Sequence, residues 1–134
     1  MKYTPIEVRE LERKAFMYCL TGIEMLSDYD AVIRDANGVG ADWMPDCLTQ
    51  IITKLHREME VPAAIHDRRY ATGTTRQDRQ DADLEFLTNV IRVIEFEYPW
   101  WHPLRYINKR RAVRYYNYLR AFGARAWEEA KKKK

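Results

Sequence analysis

The sequence predicts an all-α fold, and three observations predict it. Apolar residues recur every three or four positions in four separate stretches, which is the period of a helix with one buried face. Two of those stretches open on side-chain caps, Thr4 with Glu7 and Thr75 with Asp78, which satisfy the first free amides of a helix. At 134 residues and 46% hydrophobic content, the chain is the size of one domain around one core.

Charge and cysteine usage narrow the setting. The chain carries 23 basic and 20 acidic residues, but Lys131 to Lys134 supply four of the basic ones, so residues 1–130 form a nearly neutral domain. The last four, 131–134, read as a solvated basic tail. Cys19 and Cys47 are the only cysteines and neither stands in a CxxC, which indicates neither a disulfide framework nor a zinc site and points to a reducing compartment. Charges at Lys2, Glu7, Arg9 and Glu10 speak against a secretory signal, and no apolar run is long enough to span a bilayer.

Thr4-Pro5-Ile6-Glu7 opens the first helix, with Thr4 as N-cap and Pro5 at the first helical position. Leu11, Ala15, Tyr18 or Cys19, Gly22 and Leu26 carry its spacing to about Leu26. Residues 35–46 break the pattern with two glycines, a proline and several Asx residues. In that loop Asp35, Asn37, Asp42 and Asp46 supply side-chain oxygens, and Gly38 and Gly40 can turn carbonyls inward. Calcium takes six to eight oxygens, so this composition suits a metal loop as well as an ordinary turn.

A second helix follows from Cys47 to Glu60 on Leu48, Ile51, Ile52, Leu55 and Met59, ending before Pro62, with His56 exposed on it. Pro62 begins a short helix that closes at Gly73 in a left-handed position. On that helix Ala63, His66, Asp67 and Tyr70 share one face, placing three polar groups where apolar ones are usual. Thr75 and Asp78 cap a long helix to about Glu97, whose buried stripe is Phe86, Leu87, Val90, Ile91 and Ile94. Asp83 precedes Phe86 by three and Leu87 by four, so it takes a core position, while Asp78 and Asp81 fall on the wetter side.

Helices joined by a short turn pack antiparallel, which brings Asp83 towards His66. A carboxylate there fixes the imidazole tautomer and leaves the second ring nitrogen as a base; the same pairing equally serves a polar network that only sets helix register. Tyr98-Pro-Trp-Trp-His-Pro103 is a connector whose two tryptophans are expected to close over the core, although tryptophan and tyrosine also suit a membrane interface. The last helix, Leu104 to about Ala130, is expected to pack through Ala112, Tyr115, Tyr116, Leu119, Phe122 and Trp127, with Gly123 its weak point. Lys109, Arg110, Arg111 and Arg114 make a basic surface that could meet phosphates, with a solvated helix face as the default reading.

His66-Asp67-Arg-Arg-Tyr70, followed by Ala82-Asp83-Leu-Glu-Phe86 and preceded by Asn37-Gly-Val-Gly40, resembles the phospholipase A2 superfamily. Secreted members carry cysteines around the motif; Pro62, Ala63 and Arg69 stand here instead, so the likeness is to small disulfide-free versions in viral and phage proteins. Trp43-Met-Pro-Asp46, Tyr115-Tyr116 and Phe122-Gly123 extend it along the chain. The resemblance implies a core of two antiparallel helices with a glycine-containing loop, plus N- and C-terminal packing helices. It implies that His66 is the general base, Asp83 orients it, and Tyr70 supports the pair by a hydrogen bond. Asp67 and Asp42, with the carbonyls of Gly38 and Gly40, are the implied calcium ligands. The implied activity is calcium-dependent hydrolysis of a glycerophospholipid ester at a membrane surface, by a phage or prophage accessory protein in the host cytoplasm or virion. The competing reading is a non-catalytic phage accessory or virion protein that keeps the scaffold and binds a host or capsid partner. Nucleic acid is not an expected partner.

Overall fold

The computed structural model describes residues 3–36 and 46–132. Among them every regular element is helical: α1 (Pro5–Met17), a 3-10 turn (Ile23–Leu26), α2 (Tyr29–Asp35), α3 (Asp46–Thr72), α4 (Arg76–Glu97), α5 (Pro103–Phe122) and α6 (Ala124–Lys132). None of these helices is long and apolar enough to cross a membrane. Asn37, Gly38, Gly40, Asp42 and Trp43 of the glycine loop lie outside the described residues.

The cap of α1 forms as its residues require: Thr4 Oγ1 accepts from the Glu7 amide and Glu7 Oε1 from the Thr4 amide. The helix ends at Met17 rather than near Leu26. Cys19 and Gly22 have φ of 57° and 83°, left-handed angles that a right-handed helix cannot absorb. Tyr18, Leu20 and Leu26 are nevertheless buried, so the periodic pattern marks core positions on a chain that turns. The turn is pinned by Asn89 of α4, which accepts from the Thr21 amide at 3.0 Å and donates to the Thr21 carbonyl at 2.9 Å. The chain then re-enters a helix at α2, which the spacing did not announce; Asp28 caps it by accepting from the Ala31 amide.

α3 is one helix of 27 residues where Pro62 predicts a break. Pro62 has no amide to give the Glu58 carbonyl, a defect of about 3 kcal/mol. Met59, Val61, Ala63 and Ile65 are buried around it, and full burial contributes about 1.5–3 kcal/mol for each larger side chain, so packing carries the helix through. Gly73 follows α3 without a left-handed angle; its lack of a side chain admits Trp127, whose ring would lie 2.7 Å from an added Cβ.

The core sits on both sides of α3. Val61, Ala64 and Ile65 pack against α1, the 3-10 turn and α2, while Leu48, Ile51, Leu55, Met59 and Ala63 pack against α4 and α5. His66 and Tyr70, three and seven residues beyond Ala63, share the α4 and α5 side. On α4 the Thr75 and Asp78 cap forms, Phe86, Val90 and Ile94 are buried, and Asp78 and Asp81 are exposed. The last predicted helix divides at Gly123 into α5 and α6, and Lys131 and Lys132 belong to α6 rather than to a solvated tail.

Three aromatic side chains depart from their expected packing roles. Trp100 and Trp101 are 73% and 64% exposed, and Phe122 is 54% exposed. The Pro99 carbonyl accepts from the His102 amide at 2.9 Å, which puts both tryptophans at the central corners of a turn, where side chains point outward.

Candidate functional site

His66, Tyr70, Asp83 and Arg120 meet where α3, α4 and α5 pack together. Asp83 has no exposed surface, and its carboxylate is fully engaged. Oδ1 stands 2.8 Å from His66 Nε2 and accepts from the Tyr70 hydroxyl at 2.6 Å; Oδ2 accepts from Arg120 Nη1 at 2.5 Å. Burial alone would raise the Asp83 pKa, but the hydrogen bonds from His66, Tyr70 and Arg120, joined by the His66 charge whenever the ring is protonated, reverse that and hold it below the usual carboxylate range. Facing an ionised carboxylate, Nε2 is the protonated nitrogen and donates, which leaves Nδ1 with the lone pair.

Aromatic rings fix the imidazole further. The His66 and Tyr70 rings lie 4.1 Å apart, and Phe86 meets His66 edge-on at 5.3 Å. Trp127 meets the far side of Tyr70 at 5.1 Å. Burial and the Asp83 charge push the Tyr70 pKa far up, so the phenol stays protonated and donates. The His66 side chain is 9% exposed, so it sits at the edge of the interior rather than in open solvent.

Asp67, next on α3, is half-buried; burial raises the pKa values of Tyr3 and Tyr115, with Glu60 and then Asp67 adding to the first and Asp67 to the second. Among the described residues no group of three or more His, Cys, Asp or Glu side chains converges to hold a metal ion. Gly38, Gly40 and Asp42 lie outside them. Of the other loop carboxylates, Asp46 begins α3 and Asp35 ends α2 in a different role. Asp35 is 4% exposed and accepts from Arg68 Nη1 at 2.6 Å and from Arg34 at 2.9 and 3.0 Å. It is therefore a buried ion-pair partner rather than a metal ligand. Of the implied calcium ligands, Asp67 alone belongs to the described residues.

Several neighbours of the dyad carry no signal in the sequence that marks them as site residues. Arg120 follows Leu119 at the edge of the inward stripe of α5, a position that reads as solvated in a helix already rich in arginine. Arg79 donates from Nη2 to the carbonyls of Leu119 and Arg120, both at 3.3 Å, and its buried Nε has no partner among the described residues. Lys131 donates to the carbonyls of Tyr70 and Gly73 and lies 3.9 Å from the Trp127 ring centroid. The contacts of Trp127 and Lys131 come from sequence-distant α6, which no local pattern around His66 could announce. Comparison with the profiles of protein families, with curated proteins and with solved structures gave no match to this chain.

Proposed function

We propose that the chain is a phospholipase A2-like esterase in which His66 draws a proton from water for attack on a glycerophospholipid ester. The observation that carries this reading is the His66 Nε2 to Asp83 Oδ1 contact at 2.8 Å, with Tyr70 bound to the same oxygen. That arrangement holds one tautomer and presents Nδ1 as the base. In the reaction, the water oxygen bonds to the ester carbonyl carbon and its proton passes to Nδ1. Collapse of the tetrahedral intermediate expels the lyso-lipid alkoxide, which takes a proton from the imidazolium. Asp83 stabilises the cationic ring meanwhile and keeps its own charge, as its lowered pKa requires. Calcium, where bound, supplies the positive charge that polarises a carbonyl in such chemistry.

The test is fatty-acid release from phospholipid vesicles, with calcium or with chelator. Wild type is expected to hydrolyse, and His66→Gln and Asp83→Asn are expected to lose activity while keeping their helical signal. Equal calcium-independent activity in Asp67→Asn and wild type would remove Asp67 from the proposed metal set. No release from wild type on neutral or anionic lipid would overturn the reading.

The saturation of Asp83 by three donors favours a second reading, a non-catalytic accessory protein in which the network fixes three helices in register. Under it the same substitutions lower stability, and no wild-type hydrolysis exists to be lost.

A further inference from the structure

Between Glu97 and Glu128 the chain has no acidic residue and seven Lys or Arg. That run contains the exposed turn at Trp100 and Trp101 and all of α5. Most of its charges already have company: Arg105 and Lys109 bind Glu95, Arg120 binds Asp83, Arg111 donates to Asn108 and Arg125 pairs with Glu129. Arg110 and Arg114 are exposed, and neither forms an ion pair with a carboxylate among the described residues. They fall on the outward stripe of α5 with Tyr106, Ile107 and Val113, at spacings of three and four. Those three side chains are 52%, 43% and 42% exposed, more than a solitary surface apolar residue would require.

The tryptophan turn is held rigidly at the head of this stripe. Tyr106 donates its hydroxyl to the Trp100 carbonyl at 2.5 Å, and the Trp101 ring stacks on His102, which itself caps α5 by accepting from the Leu104 amide. The result is a protruding aromatic tip that continues into a helix face of alternating apolar and cationic side chains.

We infer that this face, from Trp100 through Arg114, docks on the surface of an anionic lipid bilayer. Tryptophan and tyrosine favour the level of the headgroups, aliphatic side chains enter the acyl boundary, and arginines reach back to phosphate. Charge complementarity selects an anionic occupant, because the tryptophan turn and α5 contain no acidic residue and Arg110 and Arg114 are left beyond the reach of Glu95, which is taken up by Arg105 and Lys109. The apolar tip and stripe select lipid over a nucleic-acid backbone, which offers phosphates but no soft apolar phase to receive Ile107 and Val113. The inference stands independently of catalysis, because none of these side chains belongs to the His66 and Asp83 pair.

The experiment is sedimentation of the full chain with vesicles of phosphatidylglycerol and phosphatidylcholine, against vesicles of phosphatidylcholine alone. Tryptophan emission is recorded in parallel with lipids brominated in the acyl chain. Wild type is expected to bind the anionic vesicles, to be quenched by bromine, and to be released by salt. Trp100→Ser with Trp101→Ser, and separately Arg110→Glu with Arg114→Glu, are each expected to weaken binding by about tenfold or more. Circular dichroism and a thermal melt show that each variant is folded; a single Arg110→Gln replaces any pair that is not. Because the His66→Gln variant is expected to bind like wild type, loss of hydrolysis and loss of docking are separable. No preference for anionic vesicles, undiminished binding in both folded pairs, or tighter binding to duplex DNA than to vesicles would each overturn the inference.

Discussion

Arg120 on α5 holds Asp83 on α4 by the oxygen that His66 and Tyr70 leave over, Nη1 to Oδ2 at 2.5 Å. The carboxylate that faces the imidazole is thus also the pin between three helices. Its charge is compensated inside the fold, which is the condition under which burial of an ionised group is tolerable. Loss of any one donor leaves the remainder with an altered balance rather than a simple gap.

Replacement of Asp83 by Ala leaves His66, Tyr70 and the Arg120 charge without their acceptor. The expected loss is about 3–5 kcal/mol of unfolding free energy, read from denaturant melts. A loss below about 1 kcal/mol would mean that the three donors find water instead.

Tyr70→Phe keeps the ring against Trp127 and His66 but removes the donor to Oδ1. Hydrogen bonds to charged groups contribute about 1.5–3 kcal/mol, so a cost in that range is expected. A cycle with Asp83→Asn isolates the coupling, and additive single effects would argue that the pair does not act together.

Acid should unfold the protein through its buried carboxylates. Asp83 and Asp35 both have pKa values lowered in the folded state by the partners that outweigh their burial. Their stabilisation is complete above the ordinary aspartate pKa, near 4, and is lost as pH falls through the lower folded values. The Asp83→Asn variant should therefore show a shallower decline in stability below about pH 4 than wild type. At the other extreme, burial pushes Tyr3 and Tyr18 up to about 12, with Glu60 adding to the first and Glu97 to the second. That contribution is present below pH ~10 and fades as pH rises through the folded values. Ultraviolet titration should show a late phenolate wave that moves to lower pH in denaturant.

Gly22→Ala places a Cβ 2.7 Å from Ile65 Cγ2 and 3.0 Å from a Glu85 oxygen, at a φ of 83° that alanine adopts only under strain. A destabilisation of about 1–3 kcal/mol is expected from thermal melts. No change would show that the turn after α1 relaxes without disturbing α3.

Helix class, both capping boxes and the antiparallel meeting of His66 with Asp83 were legible because each follows from spacing within one or two adjacent helices. The left-handed step at Cys19 was not legible, because nothing about a cysteine announces a positive φ. Pro62 misled for the opposite reason: a local rule for ending helices lost to burial supplied by α1, α2 and α4. Arg120 and Arg68 belong to the same limit, since an arginine in a charged helix looks solvated until a distant carboxylate is known to face it. The glycine loop, with Gly38, Gly40 and Asp42, falls outside the described residues.

Lys131 spans from the Trp127 ring to the carbonyls at the end of α3, one of them Tyr70's own. The bracing of the dyad helix is thus finished by residues some sixty positions downstream, 61 in the case of Lys131 and Tyr70. During synthesis, α3, α4 and α5 can emerge and collapse while the Tyr70 ring still lacks its cover and the terminal carbonyls of α3 still lack their cation. The pairing at His66 thereby acquires an order in time: the helices arrive first, and α6 closes the assembly when its lysine has left the ribosome.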